Sequence, residues 1–374
     1  MCIRDRCGDF KLKYAEISGW GSYAPPMIMS NEDISRVVDT NDEWIYSRSG
    51  IKRRHYSHVS TGKMAWLASE RALSSGGFDA KALDLVILGS TSPEEYCPNT
   101  ASWIKNELGA VKAAAFDLNS ACTSWFYGLN VASDMIKAGS IKSALVIGAE
   151  RISLAMDWNK RESCVLFGDG AGAVLLTASD KDTGLKTAFM SCVPDTRECL
   201  HLPSWGLSPL HFTNDIFVSL NFEGQEVFKN AVKGMSDAID NVLSKEDIQV
   251  ADIDLFIPHQ ANMRIIQALA KRLNFPMEKV IVRIDEYANT SAASIPLAMV
   301  DALNDKRIKP GMNILVATFG AGLTCGAGII KWGDRVESIS ESSKGIPDYN
   351  GSIFDLMKDS FNHYGINASH LLTP

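Results

Sequence analysis

The sequence predicts an α/β protein of two similar halves, each a sheet of buried parallel strands covered by helices. Two observations carry that expectation. Runs with the apolar density of buried strands recur, each followed by a helical pattern: "LDLVILGST" (83–91), "SALVIGAE" (143–150), "IDLFIPH" (253–259) and "MNILVATFG" (312–320). Short matches also repeat at one constant offset, the distance from Asp84 to Asp254. "DLVI" at Asp84 answers "DLFI" at Asp254, "LV" at 145–146 answers 315–316, and "NSACTS" at 119–124 answers "NTSAAS" at 289–294. A constant offset of this kind indicates an internal duplication, with the halves packed about a pseudo-twofold axis.

In chain order, residues 1–10 ("MCIRDRCGDF") carry charge but no apolar core, so they are not a secretory signal and read as a leader. Residues 11–185 form the first half and 186–334 the second. The break is expected near 180–215, where "SDKDTG" and "LPSWGLSP" have little periodicity. Residues 335–374 are an extension. A polar linker, "RVESISESSKGIPDYNGS" (335–352), precedes a short amphipathic helix with apolar residues at 353, 354, 357 and 361.

Composition narrows the function classes. A chain of 374 residues with 46% hydrophobic and 22% charged residues can bury a large core. Its net charge of −7 argues against a general phosphate-binding surface, so no nucleic-acid partner is expected. No apolar run approaches the roughly 20 residues needed to span a bilayer, so no membrane partner is expected either. The eight cysteines show no C-x-x-C pattern and no zinc spacing with His. Reduced thiols in a cytoplasm, without metal or cofactor, are therefore the expectation.

Cys122 stands where a strand-like run, "AAAFDL", gives way to a helical pattern. Free N–H groups and the helix dipole at such a junction favour a thiolate, and small neighbours leave room for a carbonyl substrate. The alternative is a cysteine packed as a small hydrophobe. His259 follows the strand "DLFI", at the strand end where α/β proteins place their sites. Asn289 either caps a helix or donates its amide N–H to an oxyanion; it is the repeat partner of Asn119, beside Cys122. Two glycine-rich stretches, "FGDGAGAVLL" (167–176) and "FGAGLTCGAGII" (319–330), both run into strands, unlike a dinucleotide loop. Their glycines are expected to let backbone approach a substrate and present N–H groups as an oxyanion hole.

The order Cys at a helix start, "PHQAN", "NTSAAS", then a glycine-rich loop resembles the ketoacyl-ACP synthase III family of condensing enzymes. The resemblance runs from about residue 12 to 333 and includes "DTNDEWIYSRSGIKRRH" (39–55), "FGDGAGA", "GQEVFK" (224–229) and "RIKPG" (307–311). It implies a thiolase-like, five-layered αβαβα fold and a cytoplasmic homodimer. The implied reaction is decarboxylative condensation of an acyl-CoA primer with malonyl-ACP through an acyl-cysteine, an acyltransferase step that starts fatty acid synthesis or a related pathway. Coenzyme A enters as a substrate thioester, and no cofactor is implied.

By position, Cys122 is then the nucleophile, with His259 and Asn289 completing the triad and the Gly320-Ala321-Gly322 loop holding the oxyanion. Trp44 and Arg48 match coenzyme A contacts, with Arg161 on the adenine side. Asn262 lies at the pantetheine channel, Gly224 and Phe228 near its wall, and Arg264 on the face that meets the carrier protein. Two departures stand out. The usual "GGG" loop carries Ala321, and Thr123-Ser124-Trp125 follow the nucleophile, which is expected to reshape the acyl pocket. Thr318 stands where a thiolase has a second cysteine, which disfavours that relative. Head-to-head condensation without decarboxylation, acyl transfer to esters and thioester hydrolysis remain open.

Overall fold

The computed structural model describes residues 13–193, 197–203 and 219–373. The expected leader at 1–10 lies outside these residues, as does part of the expected break. The first sheet has five strands in the order Tyr14–Tyr23, Gly170–Ser179, Ser143–Glu150, Leu85–Gly89, Ala114–Leu118. The second has four, Gly184–Cys192, Thr324–Lys331, Asn313–Gly320 and Leu255–Pro258, hydrogen-bonded in that order. The half boundary drawn at 185 falls inside the strand Gly184–Cys192, which belongs to the second sheet.

The repeat is visible strand by strand. Tyr14 and Gly184, Leu85 and Leu255, and Ser143 and Asn313 each begin strands at the offset seen in the sequence, and Ser124 and Ser294 begin helices at the same offset. In the first half Leu85–Gly89 pairs in parallel with both Ser143–Glu150 and Ala114–Leu118. In the second, Leu255–Pro258 pairs in parallel with Asn313–Gly320, and the fifth strand is reduced to a single parallel bridge between Phe256 and Val280.

Period-2 alternation sends each strand's side chains into two cores. Leu85, Ile87, Ala144 and Val146 of the first sheet meet Leu255, Ile257, Ile314 and Val316 of the second around two central helices, Ser124–Lys137 and Ser294–Asn304. Val86, Leu88, Leu145 and Ile147 face outward onto Met64, Leu67 and Ala68 of the helix Thr61–Gly76. Phe256, Leu315 and Ala317 likewise face Met235 and Ile239 of Gly224–Glu246 and Ile266 and Leu269 of Met263–Arg272. The result is helix, sheet, helix, sheet, helix. Burial on both faces explains why the strands read as continuous apolar runs.

The extension docks on its own body. The backbone at Ile339 bonds the Ser75 carbonyl at 3.0 Å, and His58 bonds the Pro347 carbonyl at 2.8 Å. The helix Ile353–His363 starts at a capping box made by Ser352 and Asp355 and buries Ile353, Phe354, Met357 and Phe361, the apolar positions of the sequence pattern. Phe361 meets the Trp158 ring edge-on at 4.9 Å, and Trp158 Nε1 donates to Ser360 Oγ at 2.9 Å. The tail thereby backs the 157–164 segment, which carries Arg161 at its other side.

Candidate active site

The helix Ser124–Lys137 begins two residues after Cys122, in a segment the chain holds under strain. Ala121 adopts φ +55°, a left-handed backbone that an alanine rarely takes, and Asn119 Oδ1 accepts the Ala121 N–H at 3.1 Å. The second half repeats the device. Ser291, the repeat partner of Ala121, adopts φ +49°, and Asn289 Oδ1 accepts its N–H at 2.9 Å. Asn289 thus performs the local capping role with its oxygen, which leaves its amide N–H groups as donors on the cavity side.

The segment 289–294 joins the three sequence-predicted residues. Ser291 Oγ lies 3.3 Å from Cys122 Sγ, and Ser294 Oγ lies 2.6 Å from His259 Nδ1. Ser294 Oγ also accepts the Gln260 N–H at 3.4 Å; with its own proton on Nδ1, the imidazole carries its hydrogen on Nε2. Burial lowers the His259 pKa to about 3, so the ring is neutral and a donor at physiological pH. Cys122, His259 and Asn289 all line one cavity of about 730 Å³, a volume suited to a small-molecule substrate.

The thiol does not behave as the helix-start argument expects. Burial pushes the Cys122 pKa up to about 12, the Ser291 hydrogen bond lowers it, and the nearby Glu150 carboxylate raises it. Desolvation in the pocket is the largest of these effects, and it favours the neutral thiol.

The second glycine loop abuts Cys122. A Cβ on Gly320 would lie 2.8 Å from the Cys122 backbone nitrogen, so only glycine lets the loop approach this closely. Thr318 Oγ1 holds the Cys122 carbonyl at 3.3 Å. The left-handed backbone of the loop falls on Gly322, φ +134°, rather than on Ala321, so the methyl of Ala321 is carried without strain on the cavity wall. The first glycine stretch serves the backbone of the Asn289 segment instead. Its Gly168 N–H donates to the Asn289 carbonyl at 3.1 Å, and a Cβ there would meet the Tyr287 carbonyl at 2.5 Å. That loop grips the segment carrying Asn289 and supplies no oxyanion donor from Gly168.

Thr123, Ser124 and Trp125 also depart from expectation. All three are buried, none lines the cavity, and Trp125 packs between the sheets. The helix turns these side chains away from the thiol and into the core. The described apolar walls come instead from residues such as Leu166, Phe167, Leu200, Leu220, Phe222 and Phe319.

At the mouth, Arg48 and Arg161 both stack on the Trp44 ring, at 4.6 and 4.7 Å from its centroid. Arg161 is anchored to the Asp39 carbonyl at 3.0 Å. Asn262 caps the helix Met263–Arg272 and lines the cavity with Gly224, Phe228 and Arg264, whose guanidinium holds the Ser47 carbonyl at 3.0 Å.

Family models for 3-oxoacyl-[acyl-carrier-protein] synthase III match residues 116–192, and for its C-terminal part residues 243–332. A beta-ketoacyl-[acyl-carrier-protein] synthase III 2 of Vibrio vulnificus (strain YJ016) is 46% identical over 345 residues, covering 92% of this chain and 95% of that protein. The chain belongs to the 3-oxoacyl-ACP synthase III family. A synthase III of Clostridium perfringens (strain ATCC 13124) is 42% identical over 323 residues, 86% of this chain and all of that protein. The crystal structure of a 3-oxoacyl-[acyl-carrier-protein] synthase III from Aquifex aeolicus VF5 superposes with a TM-score of 0.80 at 40% identity, over 85% of this chain and 100% of that one. The fold is the thiolase-like one of this synthase III family, and the chain is a condensing acyltransferase of fatty acid synthesis.

Sequence reasoning about the synthase did not assign Ser291, Ser294 or Glu150. The two serines lie within "NTSAAS", and Ser291 stands at the repeat position of Ala121, where a polar replacement in one copy was the available signal.

Proposed function

We propose that Cys122 takes an acyl group from acyl-CoA and passes it to the carbanion made when malonyl-ACP loses CO₂, giving 3-oxoacyl-ACP. The observation that carries this reading is the 289–294 segment, which ties a thiol, a neutral N–H-donating imidazole and a free amide into one cavity. The thiol supplies the nucleophile. The Cys122 N–H and the 320–322 loop face the oxyanion of the thioester, and His259 Nε2–H with the Asn289 amide face the malonyl enolate. A neutral imidazole suits the second task, because it donates a hydrogen bond without taking the enolate's charge.

In the same reading, Trp44, Arg48 and Arg161 receive the adenine-nucleotide end of coenzyme A. Asn262, Gly224 and Phe228 line the pantetheine channel, and Arg264 faces the acidic carrier protein. Trp44→Ala removes the stacking platform shared by both arginines. It is expected to raise KM for acyl-CoA about tenfold, the equivalent of 1.4 kcal/mol, with kcat held; initial rates over an acyl-CoA series measure this.

Two copies of the chain assemble in this reading. The strand Ala114–Leu118 ends the first sheet with its outer edge unpaired among the described residues, a backbone edge suited to pairing with its own copy. The reading places the enzyme in the cytoplasm, where the six described cysteines remain free thiols. No helix among the described residues is long and apolar enough to cross a membrane.

The test offers a panel of straight and branched acyl-CoAs with malonyl-ACP and follows products by mass spectrometry. The expected result is 3-oxoacyl-ACP with one CO₂ released per product. Free acid without ketoacyl product would replace the reading by hydrolysis, and condensation without CO₂ by head-to-head joining.

A further inference from the structure

The triad leaves the thiol proton without an acceptor. Among the described residues neither His259 nor Asn289 is hydrogen-bonded to the Cys122 thiol, and His259 Nδ1 is taken by Ser294 Oγ at 2.6 Å. The cavity-side partner of Cys122 Sγ is Ser291 Oγ, at 3.3 Å. Behind it stands Glu150, at the C-terminal end of the strand Ser143–Glu150 and fully buried, with Oε1 2.9 Å from the same hydroxyl.

The rest of the carboxylate is surrounded by donors. Thr91 N–H reaches it at 3.1 Å, Thr91 Oγ1 at 2.9 Å, Ser92 Oγ at 2.7 Å and Ser90 Oγ at 3.3 Å. A carboxylate buried without a cationic partner is costly to keep. It meets the cavity through Thr91 and through Ser291, and of these two it is Ser291 whose hydroxyl touches Cys122.

We propose that Glu150, acting through Ser291, is the proton acceptor for Cys122 during acylation. The inference rests on the reading of Cys122 as the acyl acceptor. As sulfur attacks the acyl carbon, the S–H electron pair becomes the S–C bond and the thiol proton bonds to Ser291 Oγ. The Ser291 hydroxyl proton passes to Glu150 Oε1. Coenzyme A leaves as its thiolate when the tetrahedral intermediate collapses, and takes a proton from water. After the carbon–carbon bond forms, Cys122 departs from the product as a thiolate, and Glu150 returns the proton along the same path. Neutralising Glu150 also removes a like charge from beside the developing thiolate, so the electrostatic obstacle and the base are one group. Burial raises the carboxyl pKa in the direction a base for a weakly acidic thiol requires. Ser291 reaches both groups because of its left-handed backbone at φ +49°.

The experiment measures single-turnover acylation of the full chain by acyl-CoA, using intact mass after rapid quench. Condensation of enzyme acylated beforehand by long incubation is measured separately. Glu150→Gln keeps the volume and lets the surrounding hydroxyls rotate to pair with an amide; Ser291→Ala breaks the path at its middle and leaves the other donors to Glu150 in place. Each is expected to slow acylation about 100-fold, the scale of general-base assistance. The double variant is expected to be no slower than either single, since both break one path. The loss is expected in acylation and not in condensation. Acylation of Glu150→Gln at the wild-type rate overturns the proposal. So do equal losses in both steps, or single-variant losses that multiply in the double, because these mark a structural role. If the wild-type enzyme acquires no acyl group on Cys122, the underlying reading falls as well.

Discussion

Cys122→Ser is expected to fold normally and to form no acyl-enzyme on the timescale of turnover, with acylation at least 10³-fold slower than in the parent. The replacement is close to isosteric and can keep its hydrogen bond to Ser291, 3.3 Å away in the parent, so pocket shape and binding are preserved. What changes is the nucleophile. A serine hydroxyl is a far weaker acid than a thiol and a poorer nucleophile toward a thioester, so the same acceptor draws its proton away far less readily. The buried pocket that pushes the thiol up to about 12 disfavours an alkoxide further. Intact mass after incubation with acyl-CoA measures the outcome, and thermal unfolding checks the fold. A serine variant that acylates within tenfold of the parent rate would remove Cys122 from the nucleophile's role.

Much of the fold is readable because its signals are local or periodic. The strands at 85–89, 143–150, 255–258 and 313–320 are buried on both faces, so each stands out as an apolar run. The constant offset between the halves is equally plain because the duplicated helix starts keep the same small-residue pattern. The second sheet's fifth strand is not readable, since it has shrunk to one bridge at Val280.

The site divides along similar lines. Cys122, His259 and Asn289 stand at element boundaries, where sequence patterns change visibly. The Glu150 cluster has no such signature: Ser90, Thr91 and Ser92, then Glu150, then Ser291 come from three separate segments and meet only in the folded chain. The pKa of the thiol escapes the sequence for the same reason. A helix start is visible there, while the depth of the pocket around it depends on residues from both halves. Nearness in sequence to Cys122 suggests that Trp125 shapes the acyl pocket, and the helix carries it the other way. The amphipathic tail helix is legible, but its seat on Trp158 is not, because the two lie far apart along the chain.

His259→Ala and Asn289→Ala are expected to separate the two halves of the reaction. Both variants retain Cys122 and the Gly320 loop; in His259→Ala acylation by acyl-CoA proceeds within a few-fold of the parent, whereas Asn289→Ala also removes the cap on the Ser291 N–H and slows acylation further. Decarboxylative condensation falls by about 10²–10³ in each, the scale measured for loss of one oxyanion donor. The asymmetry follows from where charge develops. In the proposed reaction the negative oxygen of acylation forms against the Cys122 N–H and the glycine loop, whereas that of condensation forms on the malonyl thioester, in front of the imidazole and the amide. Because the enolate exists only after CO₂ begins to leave, its donors are worth most in that transition state, and KM for malonyl-ACP should move little. Removing both donors leaves a variant that accumulates acyl-enzyme and releases almost no CO₂. Asn289→Asp is the informative companion. It keeps an Oδ oxygen for the Ser291 N–H, now held at 2.9 Å by the asparagine, while replacing the cavity-side donor with an acceptor. If the amide serves only to cap the segment, Asn289→Asp keeps condensation. If the amide N–H holds the enolate, condensation is lost as completely as in Asn289→Ala while acylation continues. Rapid-quench mass spectrometry of the acyl-enzyme, run beside labelled CO₂ release from malonyl-ACP, distinguishes these outcomes. Parallel loss of both steps in His259→Ala would move His259 out of the enolate's reach, and condensation retained in Asn289→Asp would do the same for the Asn289 amide.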